Sequence, residues 1–318
     1  IPLTENNMDV YKSLASYKKK NPSIVTIGTF DGVHLGHKAI LTQLMNAAKK
    51  NNQASILLTF FPHPRMVLQK KSSLRLINTI KERSEIIEQT GVSNLIIHPF
   101  TKEFSRLTAL EFVRDILVNQ LHIKKIIIGY DHQFGRNRTA TIKDLIEFGK
   151  TYDFEVVEIT AQQLQNVAIS STKIRKALEE EGDVQTANQY LGYPFMLSGK
   201  IVKGRGIGKT LAFPTANLKI KEDYKLIPKN GVYLVTSIIS GKEVFGLTNI
   251  GTNPTVGGIH KTIETYFLDY KNDLYDKDIQ LNFIKYIREE KIFTSKEALK
   301  IAIKEDELFA RNYLNINE

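Results

Sequence analysis

Ser23-Ile24-Val25-Thr26-Ile27-Gly28-Thr29-Phe30-Asp31-Gly32-Val33-His34-Leu35-Gly36-His37 decides how the first half of the chain is read. Residues 23–27 are mostly β-branched and apolar, which predicts a buried strand. Residues 38–50 then place Ile40, Leu41, Leu44, Met45 and Ala48 at helical spacing. Between them lies a turn with Gly28, Gly32 and Gly36. Glycines let a backbone approach a ligand closely and take φ values that other residues avoid. A helix N-terminus adds unpaired N–H groups and a partial positive charge, which suits phosphate. His34 and His37 are three apart, so they share one face of the first helical turn and can donate to one phosphate group. Two other readings of the pair stay open on these residues alone. One is a metal pair, for which no third ligand lies nearby. The other is a pair that only caps the turn.

Outward from this stretch, strand-like and helix-like segments alternate. Residues 10–19 predict a short leading helix. Residues 54–60 predict a second strand, ending at Phe61-Pro62-His63-Pro64-Arg65, where two prolines are expected to halt regular structure. Helices are expected over 79–90, 109–120 and 142–152. Strands are expected over 95–100, 125–129 and 154–159. This alternation predicts a doubly wound parallel α/β sheet, whose strand-end loops are where ligands bind. Ile169-Ser170-Ser171-Thr172-Lys173-Ile174-Arg175 places hydroxyls ahead of a helix, which by itself is N-cap chemistry. Residues 173–190 read as two short helices broken near Gly182-Asp183.

The pattern changes near residue 190, which sets the expected domains at 1–190 and 191–318. Strand-like segments over 198–203, 231–239, 242–250, 262–270 and 278–287 lack intervening helices. They predict a small antiparallel barrel, closed by a helix over 295–313. Gly204-Arg205-Gly206-Ile207-Gly208-Lys209-Thr210 is not a P-loop. A P-loop needs four residues between its first glycine and Gly-Lys-Thr, and here there are three. The following Leu-Ala-Phe-Pro cannot open a helix.

Gly-Thr-Phe-Asp-Gly-Val-His-Leu-Gly-His resembles the HxGH signature of the nucleotidyltransferases. More narrowly, it resembles the FAD synthetase half of the bacterial bifunctional riboflavin kinase/FAD synthetases. The later segments match in order. They are Phe61-Pro62-His63-Pro64, the run 130–138 with Asp131, Ile169 to Arg175, Phe213-Pro214-Thr215-Ala216-Asn217, Gly231-Val232-Tyr233, Asn249-Ile250-Gly251-Thr252-Asn253-Pro254-Thr255, and Glu264 ahead of Asp273-Leu274-Tyr275.

The resemblance implies FMN adenylylation in the first domain. Gly28, Phe30, Gly32, His34, His37, Asp131, Ser170, Ser171, Thr172 and Arg175 would then hold ATP, and Phe60, Pro62 and His63 would hold the flavin. It implies riboflavin phosphorylation in the second domain. Gly204, Gly206, Gly208, Lys209, Thr215 and Asn217 would hold ATP there, and Glu264 would be the catalytic base. The Thr215 hydroxyl and Asn217 carbonyl are oxygen donors suited to Mg²⁺, with ATP phosphates completing its shell. The sequence departs from the family pattern at Phe61, Ile207, Lys209 and Ala212. A monofunctional FAD synthetase with a weakened kinase, and a flavin- or nucleotide-binding regulator, stay open as alternatives.

The composition fits an enzyme of anionic nucleotides. The chain has 318 residues, 42% of them hydrophobic, with a net charge of +10 spread along its length. Without an arginine-rich arm or an interleaved aromatic pattern, nucleic acid is not expected as a partner. No cysteine is present, so disulfides and thiolate metal sites are excluded, and a cytoplasmic setting is expected. No apolar run reaches the roughly 18 residues of a membrane helix, and the N-terminus does not read as a signal peptide. Ile1 opens the sequence, so native residues ahead of it are expected. The sequence leaves room for a homo-oligomer.

Overall fold

The computed structural model describes residues 8–69, 72–129, 134–136, 139–160, 169–204, 213–255 and 258–315. The chain divides into two compact units, Ile1–Ser170 and Ser171–Glu318.

The first unit is built on a six-stranded, wholly parallel sheet. Its strands are β1 (Asp9–Tyr11), β2 (Ser23–Ile27), β3 (Ala54–Phe60), β4 (Asn94–His98), β5 (Ile123–Gly129) and β6 (Glu155–Ile159), in the order β1-β4-β3-β2-β5-β6. β2 is buried along its whole length, as its β-branched run predicts for a central parallel strand. The chain winds from β2 through β3 to β4 on one side, then crosses to β5 on the other. The strand order therefore reverses between β2 and β5, and an open α/β sheet binds its ligands at such a point, outside the carboxyl ends of the strands. The turn from β2 into α1 (Leu35–Asn51) lies there.

Three expectations are corrected in this unit. Residues 10–19 are not a helix. Asp9–Tyr11 adds to the sheet edge beside β4, and Ser13 caps a single 3₁₀ turn, Leu14–Ser16. Leu14 and Tyr17 go into the core, and Lys18, Lys19 and Lys20 leave no apolar face for a longer helix. The prolines after β3 do not halt regular structure. Pro64 occupies the first position of α2 (Pro64–Leu68), where its missing N–H costs nothing, and the Nδ1 atom of His63 accepts from the Arg65 N–H at 3.1 Å. Finally, α4 (Ala109–Glu111) widens into a π-helical stretch, Phe112–Val118. The Asn119 N–H reaches the Arg114 carbonyl at 3.0 Å, five residues back. The helices α3 (Ile80–Glu88) and α5 (Ile142–Tyr152) form where the periodicity places them.

The second unit is a closed antiparallel barrel of β7 (Met196–Val202), β8 (Thr215–Lys219), β9 (Gly231–Ile239), β10 (Lys242–Thr255), β11 (Gly258–Phe267) and β12 (Asp278–Arg288). β8 is additional to the five strands expected. Ala and Asn have low strand propensity, and the segment is extended because it pairs with β7 on one side and β11 on the other.

Before the barrel come α6 (Ser171–Lys176), a π-helical turn (Ala177–Glu181) and α7 (Val184–Leu191). They group with the barrel, so the compact unit begins ahead of the change of pattern near residue 190. Asn188 ties them on: its Nδ2 donates to the Phe283 carbonyl at 2.8 Å, and its Oδ1 accepts from the Phe195 N–H at 2.6 Å.

The closing helix α8 (Lys296–Leu314) is capped by Ser295. It packs Ala310 and Leu314 with Leu234, Leu247 and Leu268. Two forked arginine pairs fix it: Arg288 to Asp306 at 2.8 and 2.7 Å, and Arg311 to Asp269 at 3.1 and 2.9 Å.

Candidate active sites

The turn after β2 is tight and strained. The Gly28 N–H bonds the Leu58 carbonyl at 3.1 Å, and a Cβ on Gly28 would lie 2.9 Å from the Phe30 ring. Phe30, Gly32 and Val33 have φ of +47°, +86° and +34°. Glycine tolerates such values, but a phenylalanine and a β-branched valine there cost about 1–3 kcal/mol each and persist only where the surroundings hold them. His34 is the N-cap of α1. Its carbonyl accepts from the Lys38 N–H at 2.9 Å, and its Nδ1 faces the His37 N–H at 3.4 Å. With Nδ1 as acceptor, the neutral ring carries its proton on Nε2.

The two imidazoles stack, with centroids 3.7 Å apart and planes 17° apart, and the Phe30 ring lies 4.8 Å from His37. Burial pushes His37 well below the ordinary histidine range, and the nearby charges of His34 and Arg83 push in the same direction. His37 is therefore neutral at pH 7. Among the described residues its Nδ1 has no hydrogen-bond partner. A stacked pair of imidazoles at a helix N-terminus, with His37 neutral, offers directed donors to an anion.

Phe60, at the end of β3, is buried and meets Phe100 and Phe104 at 5.6 and 5.5 Å. Pro62 follows a cis Phe61–Pro62 bond, and His63 caps α2. Phe100 and Phe104 were not singled out by the motifs. Their signal was two aromatics just past the end of a strand. The segment carrying Phe104 also lines a groove of about 470 Å³ with Leu68, Lys102, Ser105, Arg106 and Arg136. Ser170 ends the first compact unit, whereas Ser171, Thr172 and Arg175 lie on α6 in the second. Asp131 lies outside the described residues.

In the barrel, strand register gathers the predicted residues. Asn217 on β8 is paired with Glu264 on β11, and Glu264 is paired with Asn249 on β10. Thr215 is paired with Tyr266. Directly opposed side chains share a face, and so do residues two apart on a strand. Thr215, Asn217, Glu264 and Asn249 therefore lie on one face, all half-buried. Ile263, Thr265 and Phe267 take the alternate, buried face, where the Thr248 and Thr265 hydroxyls bond at 2.8 Å. Phe213 packs edge-on against Tyr266 at 5.1 Å and anchors the entry to β8.

Gly204 lies against the Asn217 amide so closely that a Cβ would occupy the amide's place. The amide is thus held in a cradle that only glycine permits, beside a hydroxyl and a carboxylate. That oxygen-rich donor set fits a hard divalent cation. Asn230 and Glu290 were missed by the motifs. The Asn230 amide donates to Thr252 Oγ1 and, at 3.0 Å, to Glu290, whose carboxylate lies over Gly251 near Asn249. In sequence, Glu290 is one charge in a solvated run. Gly206, Gly208 and Lys209, like Ile207 and Ala212, lie outside the described residues.

A parallel sheet with a histidine-bearing turn at its reversal point, followed by a barrel with a carboxylate–amide row, defines a two-unit nucleotide-dependent transferase. Residues 16–173 match the family model described as FAD synthetase, and residues 191–314 match that described as riboflavin kinase. The chain is 37% identical over 314 residues to a bifunctional riboflavin kinase/FMN adenylyltransferase from Buchnera aphidicola subsp. Schizaphis graminum, covering 97% of this chain and all of that one. It is 35% identical to the protein of that name from Escherichia coli K12, covering 93% and 94% of the two chains. The chain belongs to the bifunctional riboflavin kinase/FMN adenylyltransferase family. It also resembles a crystal structure described as a macrolide-efflux protein from Streptococcus pneumoniae, with a TM-score of 0.87, 30% identity, and coverage of 96% and 99%. Among the described residues, no helix is long and apolar enough to cross a membrane.

Proposed function

We propose that each half of the chain, residues 1–190 and 191–318, carries one of two consecutive transfers. The barrel half moves the γ-phosphoryl group of ATP to the 5′-hydroxyl of riboflavin, giving FMN and ADP. The sheet half joins the FMN phosphate to the AMP part of a second ATP, giving FAD and pyrophosphate. The observation that carries the reading is the pairing of Asn217 with Glu264 on one face of the barrel.

In the kinase step, Glu264 accepts the proton of the attacking hydroxyl. Thr215 Oγ1 and Asn217 Oδ1 would hold Mg²⁺, which when bound offsets phosphate charge. The glycine-rich segment at Gly204, Gly206, Gly208 and Lys209 covers the phosphates. In the adenylylation step, an FMN phosphate oxygen attacks the α-phosphorus and pyrophosphate leaves. His34, His37 and the first turn of α1 stabilise the charge that builds on the departing group. Gly28, Phe30 and Gly32 give the nucleotide close backbone access, with Asp131, Ser170, Ser171, Thr172 and Arg175 as further ATP contacts. Phe60, Pro62 and His63 hold the flavin, and the Phe60–Phe100–Phe104 cluster gives that contact an apolar, aromatic character. A cytoplasmic setting, no nucleic-acid partner and room for a homo-oligomer complete the proposal.

Incubation with riboflavin, ATP and Mg²⁺, followed by HPLC of the three flavins, tests it. FMN and FAD together are expected. FAD from supplied FMN, with no FMN from riboflavin, would leave only the adenylyltransferase. No product at all would leave a binder.

A further inference from the structure

We infer that Arg83, on α3, is a positioning residue for adenylylation: it clamps the strained turn on both sides of Phe30 and so fixes the ring of His37. This rests on the assignment of His34 and His37 to that step.

Arg83 is 2% exposed and Asp31 is fully buried. Arg83 Nη1 donates to the Thr29 carbonyl at 2.8 Å, and Nη2 donates to Asp31 Oδ1 at 3.3 Å. One guanidinium thus grips the residues immediately before and after Phe30. Thr59 Oγ1 adds a second donor to the Thr29 carbonyl at 3.1 Å. The Asp31 carboxylate also accepts from the Ile77 N–H, at 3.0 and 3.2 Å, and from the Asn78 N–H at 3.4 Å. The turn is thereby tied to the segment leading into α3. That helix is itself fixed by a reciprocal cap, in which Thr79 and the buried Glu82 exchange bonds of 2.8 and 3.1 Å.

The conformation being held is an unfavourable one. Phe30 and Val33 both have positive φ, and the Val33 N–H closes the turn on the Phe30 carbonyl at 3.1 Å. The Phe30 ring, wedged over Gly28, is the wall against which His37 rests, and His37 in turn stacks on His34. A shift of Thr29 or Asp31 would therefore pass through Phe30 to the imidazole. A buried ion pair is poor evidence for stability, since apolar replacements often do as well. Its forked contact with a strained turn points to geometry instead.

The test uses the full chain and three variants. Arg83→Met removes the fork and leaves Asp31 buried beside an apolar side chain. Asp31→Asn combined with Arg83→Met removes both charges of the Arg83–Asp31 pair and keeps an acceptor for the Ile77 N–H, so it carries the test if the single variant does not fold. Arg83→Lys keeps the charge but cannot grip both acceptors. Misplacing a reacting group by about 1 Å can cost about 10²-fold in rate. The folded Met variants should lose about that factor in kcat for FAD formation from FMN. Their KM for ATP should change little, riboflavin phosphorylation should be normal, and Arg83→Lys should recover part of the loss. Parental kcat in the folded double variant would overturn the inference, as would a loss confined to KM. If His37→Ala also adenylylates at the parental rate, the assignment of the histidines fails instead.

Discussion

Asn217 and Glu264 stand directly opposite each other on adjacent antiparallel strands, although 46 residues of sequence lie between them. The pairing puts an amide oxygen and a carboxylate on one face. The next pair along, Thr215 with Tyr266, adds a hydroxyl to the same face. Asn217→Ala removes one oxygen donor from this set. It should slow riboflavin phosphorylation and raise the Mg²⁺ concentration needed for half-maximal rate by on the order of 10–100-fold, the range typical even for residues that only support metal ligands. An Mg²⁺ titration with the parental midpoint would remove Asn217 from the metal site.

Gly204→Ala tests the same amide from the other side. The added Cβ would need the space the Asn217 side chain fills. The amide must rotate away or the segment must move, so the kinase step should fall together with its Mg²⁺ response. Gly204 is exposed at the surface. The nearest atoms to that Cβ all belong to the half-buried Asn217 side chain and not to backbone, so the thermal midpoint should stay within a few degrees of the parent. FAD formation from supplied FMN should be unaffected.

The strand-turn-helix of residues 23–50 was legible in sequence because every part of it has a local cause: a β-branched run, glycines, and an apolar helical period. The barrel was legible only as a class. β8 escaped notice because its strand character comes from partners on both sides, and its residues favour no strand by themselves. Arg83 and Glu82 escaped for the opposite reason. They sit in a charged amphipathic helix, where such residues are expected on the solvent face, yet Arg83 is buried against the turn and Glu82 in the helix's own cap. Asn249 joins Glu264 only through register, and Glu290 approaches only through the end of β12. Neither relationship has a sequence period to announce it.

His37→Ala removes one imidazole of the stacked pair. Loss of a donor to developing charge typically costs about 10²–10³-fold in rate. FAD formation from FMN should fall by that order, with riboflavin phosphorylation near normal because it belongs to the other half of the chain. Adenylylation at the parental rate would exclude His37 from the step.

The depressed pKa of His37 sets a direction for stability against pH. In the unfolded chain it titrates near 6.5. In the folded chain its proton affinity is well below that, chiefly through burial. Between the two values the unfolded state binds more protons, so stability falls as pH falls. Above about 6.5 both states hold a neutral ring and this contribution is flat. The slope from this one group reaches at most about 1.4 kcal/mol per pH unit. His37→Gln should flatten the decline of the thermal midpoint of the first unit below pH 6.5. An unchanged decline would mean that other groups carry it.

Glu264 gives the sharpest test, because one carboxylate is assigned one proton. It is half-buried, between Asn217 and Asn249 in register and on the same face as Thr215. A carboxylate placed beside phosphate-handling donors has two roles open to it: to accept a hydroxyl proton, or to act as one more oxygen in the cation's shell. Glu264→Gln separates them. The amide keeps the size and an acceptor oxygen but cannot take the proton. As the base, Glu264 should contribute roughly 10²–10⁴-fold to the rate. The Gln variant should therefore lose FMN formation by that factor while its Mg²⁺ midpoint stays put. FAD formation from supplied FMN should match the parent, which verifies that the chain is folded. A parental phosphorylation rate would show that Glu264 is not the base. A rate restored by raising Mg²⁺ would move the carboxylate from the proton to the cation.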